Sequence, residues 1–205
     1  HYNIMLVLDA SLLGENAYLV KQREEKWKEN TMADIVKMMT GLADLVYFSA
    51  RKLTSSRGGG ICTNVRELYM TMEPLIPLFE GFLTYGGMSI REIEAMAVGI
   101  YETIDETMIS QSVSFIKYFV DNAVKAGIPM VTPAGVLGAH VNAGKFCEHI
   151  PQHEYPAGAL AAAFYIVSGV RGMERGTASS VRDEKGNEIP ADVELLRLAF
   201  PRRVF

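Results

Sequence analysis

Leu45-Val46-Tyr47-Phe48-Ser49-Ala50-Arg51-Lys52 reads as a strand that delivers a lysine just past its end. Its counterpart upstream, Ile4-Met5-Leu6-Val7-Leu8-Asp9, reads as a strand closed by an aspartate. The first apolar run, 4–8, has no alternation, and such runs suit strands buried on both faces, as in parallel α/β sheets. Between the two strands, residues 14–28 are rich in helix formers and charge. Thr31 followed by Asp34 predicts a capped helix with Ile35, Met38, Met39 and Leu42 at helical spacing. After Lys52, Gly58-Gly59-Gly60 predicts a tight hairpin turn and Ile61-Cys62 a short strand. No Lys-Ser/Thr follows those glycines, so they are not a phosphate loop. Strand, helix, strand is the alternation of an α/β domain.

Further along, residues 64–79 predict a helix interrupted by Pro74 and Pro77. A long helix is expected from Ser89 to about residue 126, with Ile93, Met96, Ala97, Ile100, Ile104 and Met108 on one stripe. Such a helix suits a link between domains. We expect one domain over residues 1–108 and a smaller α/β domain over 109–205. In the latter, 130–132 and 138–141 predict short strands, 156–167 a small-residue helix and 195–200 a final strand. Residues 183–188 form a polar, Gly-containing turn.

Bulk properties narrow the class. The chain has 205 residues and a net charge of −4, an ordinary globular balance with no basic field for nucleic acid or membrane surfaces. Cys62 and Cys147 lie far apart, which favours reduced thiols in a cytoplasmic protein over a disulfide framework. No apolar run approaches the roughly 20 residues needed to span a bilayer. His1-Tyr2-Asn3 runs straight into a strand without an initiator Met, so the true start is expected upstream. His140, His149 and His153 lack metal-ligand spacing, and no metal is expected. The methionines read as core filling, and Trp27 as cover for a helix face.

Asp9 and Lys52 are the residues that invite chemistry. In open α/β sheets, ligands bind beyond the carboxyl ends of the strands. An aspartate there can pair with a protonated pyridine nitrogen, and a lysine there can condense with an aldehyde. An aspartate at a strand end also caps turns, and a lysine after a strand is commonly solvated, so spacing alone leaves both readings open.

Five stretches, in order and spanning nearly the whole chain, weigh that choice strongly toward the chemical reading by resemblance. They are Glu15-Asn16-Ala17-Tyr18 with Lys21-Gln22-Arg23-Glu24, Ser49-Ala50-Arg51-Lys52, residues 80–87 (Glu-Gly-Phe-Leu-Thr-Tyr-Gly-Gly), residues 94–99 (Glu-Ala-Met-Ala-Val-Gly), and residues 195–202 (Leu-Leu-Arg-Leu-Ala-Phe-Pro-Arg). The chain resembles the tryptophanase and tyrosine phenol-lyase family. That resemblance implies a fold-type-I pyridoxal-phosphate lyase, a homotetramer, that cleaves the Cβ–Cγ bond of an aromatic amino acid to a phenol or indole, pyruvate and ammonia. It makes Lys52 the cofactor-bearing lysine and Asp9 the partner of the ring nitrogen. It makes Ser49 a contact of the cofactor phosphate and Arg197 the grip on the substrate carboxylate, for which a guanidinium fork is suited. Another reading of Arg197 is a surface arginine on an edge strand. Met173-Glu174-Arg175-Gly176 is similar to the tyrosine phenol-lyase sequence, in which the arginine meets the phenol hydroxyl; a salt bridge of Arg175 to Glu174 or another acid is the alternative.

The chain departs from the family at Leu12, where an arginine is expected, and at Arg57, where an asparagine helps bind an activating potassium ion. A guanidinium there could stand in for the cation; activity that still rises with potassium counts against that. Ser55-Ser56-Arg57 keeps none of the family residues, and near Gly135 the Gly-Gly-His is lost. The resemblance also places the phosphate loop, the ring-stacking aromatic and a tyrosine acid in an N-terminal half that this chain lacks. The rest is expected from a longer protein or from another chain. The rival readings are a degenerate, non-catalytic scaffold and an aminotransferase or decarboxylase of the same fold.

Overall fold

The computed structural model describes residues 4–202, so the reading of His1-Tyr2-Asn3 lies outside the described residues. They form two compact units, residues 4–111 with Arg202, and Ser112–Pro201.

The first unit opens with β1 (Val7–Asp9), α1 (Leu13–Arg23), α2 (Met32–Gly41) and β2 (Leu45–Ser49). β1 and β2 are parallel, with Asp9 opposite Tyr47. The Thr31 hydroxyl accepts from the Asp34 N–H (3.2 Å) and the Asp34 carboxylate from the Thr31 N–H (3.1 Å), the reciprocal cap that starts α2. Val36 and Met39 of α2 pack with Leu8, Val46 and Phe48 around Ala10, Leu13 and Leu53. The run 4–8 departs from expectation. Only Leu8 is half-buried, and Ile4 is 80% exposed. Among the described residues β1 is an edge strand, so burial on both faces does not arise.

The tight hairpin is also corrected. β2 is followed by α3 (Ala50–Leu53) and a turn before β3 (Gly59–Thr63), which pairs antiparallel with β2. Gly59 and Gly60 are strand residues. A Cβ on Gly60 would lie 2.7 Å from the Phe48 ring, so glycine is what lets the strands close. Only Gly58, at φ +89°, serves the turn.

Next come α4 (Arg66–Met72) and α5 (Leu75–Phe79), separated at Pro74. Pro77 sits in the first turn of α5, where its missing N–H costs nothing. The long helix expected from Ser89 is two helices, α6 (Ile90–Glu102) and α7 (Glu106–Lys125). The break has one distant cause and one local one. The Thr103 hydroxyl turns back to the carbonyls of Gly99 and Leu53 (both 3.0 Å), and the Asp105 carboxylate accepts from the Met108 N–H (3.1 Å) to start α7. Gly99 is buried against Thr54; a Cβ there would meet the Thr54 carbonyl at 2.4 Å.

α7 runs into the second unit, which adds β4 (Gly138–Asn142), α8 (Ala143–Phe146), α9 (Pro156–Ser168), β5 (Met173–Arg175) and β6 (Leu195–Ala199). The sheet order is β4-β6-β5, all antiparallel. Residues 130–132 contribute a single bridge, Met130 to Val141, where a strand was expected. Leu196, Leu198 and Val141 face the core, with Phe164 and Phe200 packed on them. No helix among the described residues is long and apolar enough to cross a membrane.

Candidate functional site

The parallel pair β1–β2 brings its two carboxyl ends side by side in the first unit. Asp9 ends β1, and Ser49 ends β2 and leads into α3, which carries Lys52. The Asp9 Oδ1 accepts from the Ser11 N–H (3.0 Å), a turn in which an aspartate folds onto the backbone two residues on. The Ser11 hydroxyl in turn accepts from the Ser49 N–H (3.1 Å), so one buried serine clips the two strand ends together. Asp9, Tyr47 and Lys52 are all exposed above this clip.

The electrostatics follow from those neighbours. Hydrogen bonds from Ser11, first its side chain and then its backbone, hold the Asp9 carboxyl below its ordinary value; Tyr47 and the Lys52 charge add to this, against a smaller opposing effect of burial. Asp9 pushes the Tyr47 hydroxyl up, chiefly through its charge. The site therefore offers a carboxylate that stays ionised and a lysine whose charge it feels. Those are the groups a cationic pyridine ring bearing an aldehyde needs, and the residues present fit such a group.

Leu12 is half-buried at the start of α1, and its carbonyl accepts from the Asn16 side chain (3.0 Å). Arg57 is 75% exposed and lies 3.5 Å from Glu92, the residue that also caps α6. The sequence reading missed Ser11 and Tyr47. The Asp-X-Ser spacing was the available signal for Ser11; Tyr47 becomes visible only through its register opposite Asp9.

The second unit holds its own polar face. Arg197 lies on β6, the middle strand and not an edge, opposite His140 on one side and Met173 on the other. Its neighbours Leu196 and Leu198 point to the core, so Arg197 points to the other face. Arg175 pairs with Leu195, two residues from Arg197, and so shares that face. Burial first, then the Arg197 and Arg175 charges, hold His140 below its ordinary value, which keeps it neutral. The alternative of an Arg175–Glu174 bridge fails on the pleat: adjacent strand residues face opposite ways, and Glu174 is half-buried with one oxygen unpartnered. Among the described residues no group of three or more His, Cys, Asp or Glu gathers as for a metal. Cys147 is buried, Cys62 exposed, and both are free.

Known proteins are similar to this chain in sequence. The chain is 42% identical over 207 residues to the tyrosine phenol-lyase of Pasteurella multocida and 38% identical over 205 residues to the tryptophanase of Salinibacter ruber. Both matches cover 100% of this chain. This chain is a homologue of a segment of the tyrosine phenol-lyase and tryptophanase proteins. It spans 45% of the first relative's length and 44% of the second's. No protein-family model matches the chain. Among solved structures, the Sphingomonas wittichii serine palmitoyltransferase matches at a TM-score of 0.52 and 14% identity, over 83% of this chain and 38% of that one. Mouse CSAD matches at 0.52 and 10% identity, over 100% of this chain and 43% of that one. A serine palmitoyltransferase solved with PLP matches at 0.53 and 12% identity, over 83% of this chain and 38% of that one. The fold is therefore the α/β fold of the fold-type-I pyridoxal-phosphate enzymes.

Proposed function

We propose that the protein to which this chain belongs is a pyridoxal-phosphate-dependent carbon–carbon lyase. It acts on an aromatic L-amino acid, nearer tyrosine phenol-lyase than tryptophanase in kind, and releases a phenol or indole, pyruvate and ammonia. The observation that carries this reading is the clipped pair of strand ends. It holds an ionised carboxylate and a lysine together in a chain homologous to such lyases. The cofactor, when bound, supplies an electron sink for the bond at the substrate Cα.

The chain's own residues do the rest. Asp9 accepts a hydrogen bond from the protonated ring nitrogen and keeps that proton in place; Ser49 meets the phosphate. Lys52 Nζ holds the cofactor at rest and then takes the proton from the substrate Cα. Arg197 binds the substrate carboxylate as a fork, and Arg175, which Glu174 does not claim, meets the phenol hydroxyl. An acid outside this chain protonates the leaving ring. The remaining length comes from a longer protein or a second chain, in a cytoplasmic homo-oligomer such as a tetramer.

The test is a visible spectrum of the intact protein with pyridoxal phosphate, before and after borohydride, beside Lys52→Ala. A band that borohydride traps on Lys52, absent in the variant, is the expected result; a folded protein with no band overturns the reading. Arg57, its charge held near Glu92, takes the place of a monovalent cation on this reading. Turnover is then indifferent to added potassium, and a strong rise with potassium in a steady-state assay removes that role.

A further inference from the structure

Behind the Lys52 turn lies a buried ion pair that the proposed chemistry does not use. Arg202 donates from Nε (2.9 Å) and Nη2 (2.6 Å) to Oε1 of Glu15, and from Nη1 to the carbonyl of Leu53 (2.7 Å). Its side chain is 2% exposed and that of Glu15 0%. The Thr103 hydroxyl donates to the same Leu53 carbonyl (3.0 Å). Oε2 of Glu15, also buried, has no hydrogen-bond partner.

Stability alone is a poor account of this arrangement. The desolvation of two buried charges can exceed their attraction, and packed apolar residues often serve a core as well or better. What the pair adds is a fixed point. The Leu53 carbonyl ends the four-residue helix that carries Lys52. A single helical turn has almost no intrinsic stability, so its neighbours decide where it sits. At its start, the Ser49 N–H is held by Ser11. At its end, the Leu53 carbonyl is held by Arg202 and Thr103. Glu15, which aims Arg202, lies on α1, the helix that follows Asp9 and begins at Leu13.

We propose that Arg202, aimed by Glu15, is a positioning residue for Lys52: it fixes the turn 50–53 against α1 and so fixes the lysine relative to Asp9. This rests on the reading of Lys52 as the cofactor-bearing lysine.

The test uses the intact protein with pyridoxal phosphate. Arg202→Lys keeps the charge and loses the fork; Thr103→Val removes the second donor to the same carbonyl at nearly constant shape. Both should keep wild-type circular dichroism and cooperative melting. Borohydride capture on Lys52 should slow about tenfold or more, since an ångström of misplacement at a reacting group costs up to roughly a hundredfold. The pH midpoint of the visible band should move. The Thr54 amide, which bonds the Ala50 carbonyl at 2.9 Å, should exchange its hydrogen faster. Thr103→Ser, which restores the donor, should return all three. Wild-type capture, midpoint and exchange in both variants overturn the proposal. If Arg202→Lys does not fold, Thr103→Val decides by the same outcomes. If the wild-type protein shows no band, the cofactor reading fails, and Thr54 exchange alone then judges the positioning: faster exchange in the variants keeps it, unchanged exchange overturns it.

Discussion

Asp9 stays ionised for reasons that begin two residues away. Its carboxylate is bonded by Ser11 before any ligand arrives, so its charge is set by the turn and not by a partner. The sign matters. A carboxyl held below its ordinary value of 3.8 is fully charged throughout the neutral range and is protonated only on strong acidification. Asp9→Asn keeps the shape and removes the charge. It forfeits a charge-assisted hydrogen bond worth about 1.5–3 kcal/mol. Affinity for pyridoxal phosphate should therefore fall roughly ten- to a hundredfold, as read by equilibrium titration of the visible band. Affinity equal to wild type would leave Asp9 as a turn residue only. Most of this was legible early, because an aspartate at the end of one apolar run and a lysine after another are visible in the string. The clip was not: Ser11 reaches Ser49 across 38 residues, a contact that only the parallel pairing of β1 and β2 creates.

At the scale of elements, sequence signals held where a local interaction fixed them. The Thr31 and Asp34 pair caps α2 as its spacing requires, because a cap is an affair of four consecutive residues. Signals failed where distant partners decide. The apolar stripe from Ile93 to Met108 is continuous, yet Thr103 spends its hydroxyl on Leu53 and ends α6. Gly58-Gly59-Gly60 looks like a turn, yet two of the glycines are strand residues packed on Phe48, Gly59 against its carbonyl and Gly60 against its ring. The face of the β4-β6-β5 sheet likewise depends on pairing, which sets His140 beside Arg197 and Arg175. That pairing has a pH consequence. His140 is held below 6.5 by burial and the two arginines, so the folded state disfavours its proton. The unfolded chain then binds more protons, and the contribution of His140 is complete above 6.5 and lost as pH falls through the lowered folded value. Melting temperature should therefore drop between about pH 7 and pH 5. His140→Gln should flatten that drop, and a slope identical to wild type would show that His140 does not titrate against the arginines.

For the molecule as a whole, the exposed apolar surface bears on the chain's share of its relatives' length. Ile4 is 80% exposed, Phe79 72% and Val167 87%. β1 leaves one edge unpaired among the described residues. Soluble proteins seldom leave large apolar patches and open strand edges uncovered, because both recruit other chains. The chain spans 45% of the length of its Pasteurella multocida relative. Cover for these faces is therefore expected from the remaining length of an intact protein or from further copies. Produced alone, the 205 residues should bind a hydrophobic dye and associate as their concentration rises, by fluorescence and light scattering. The intact protein should bind less of the dye and should not associate further as its concentration rises. An isolated chain that is monodisperse and dye-silent would mean that these residues are ordinary surface.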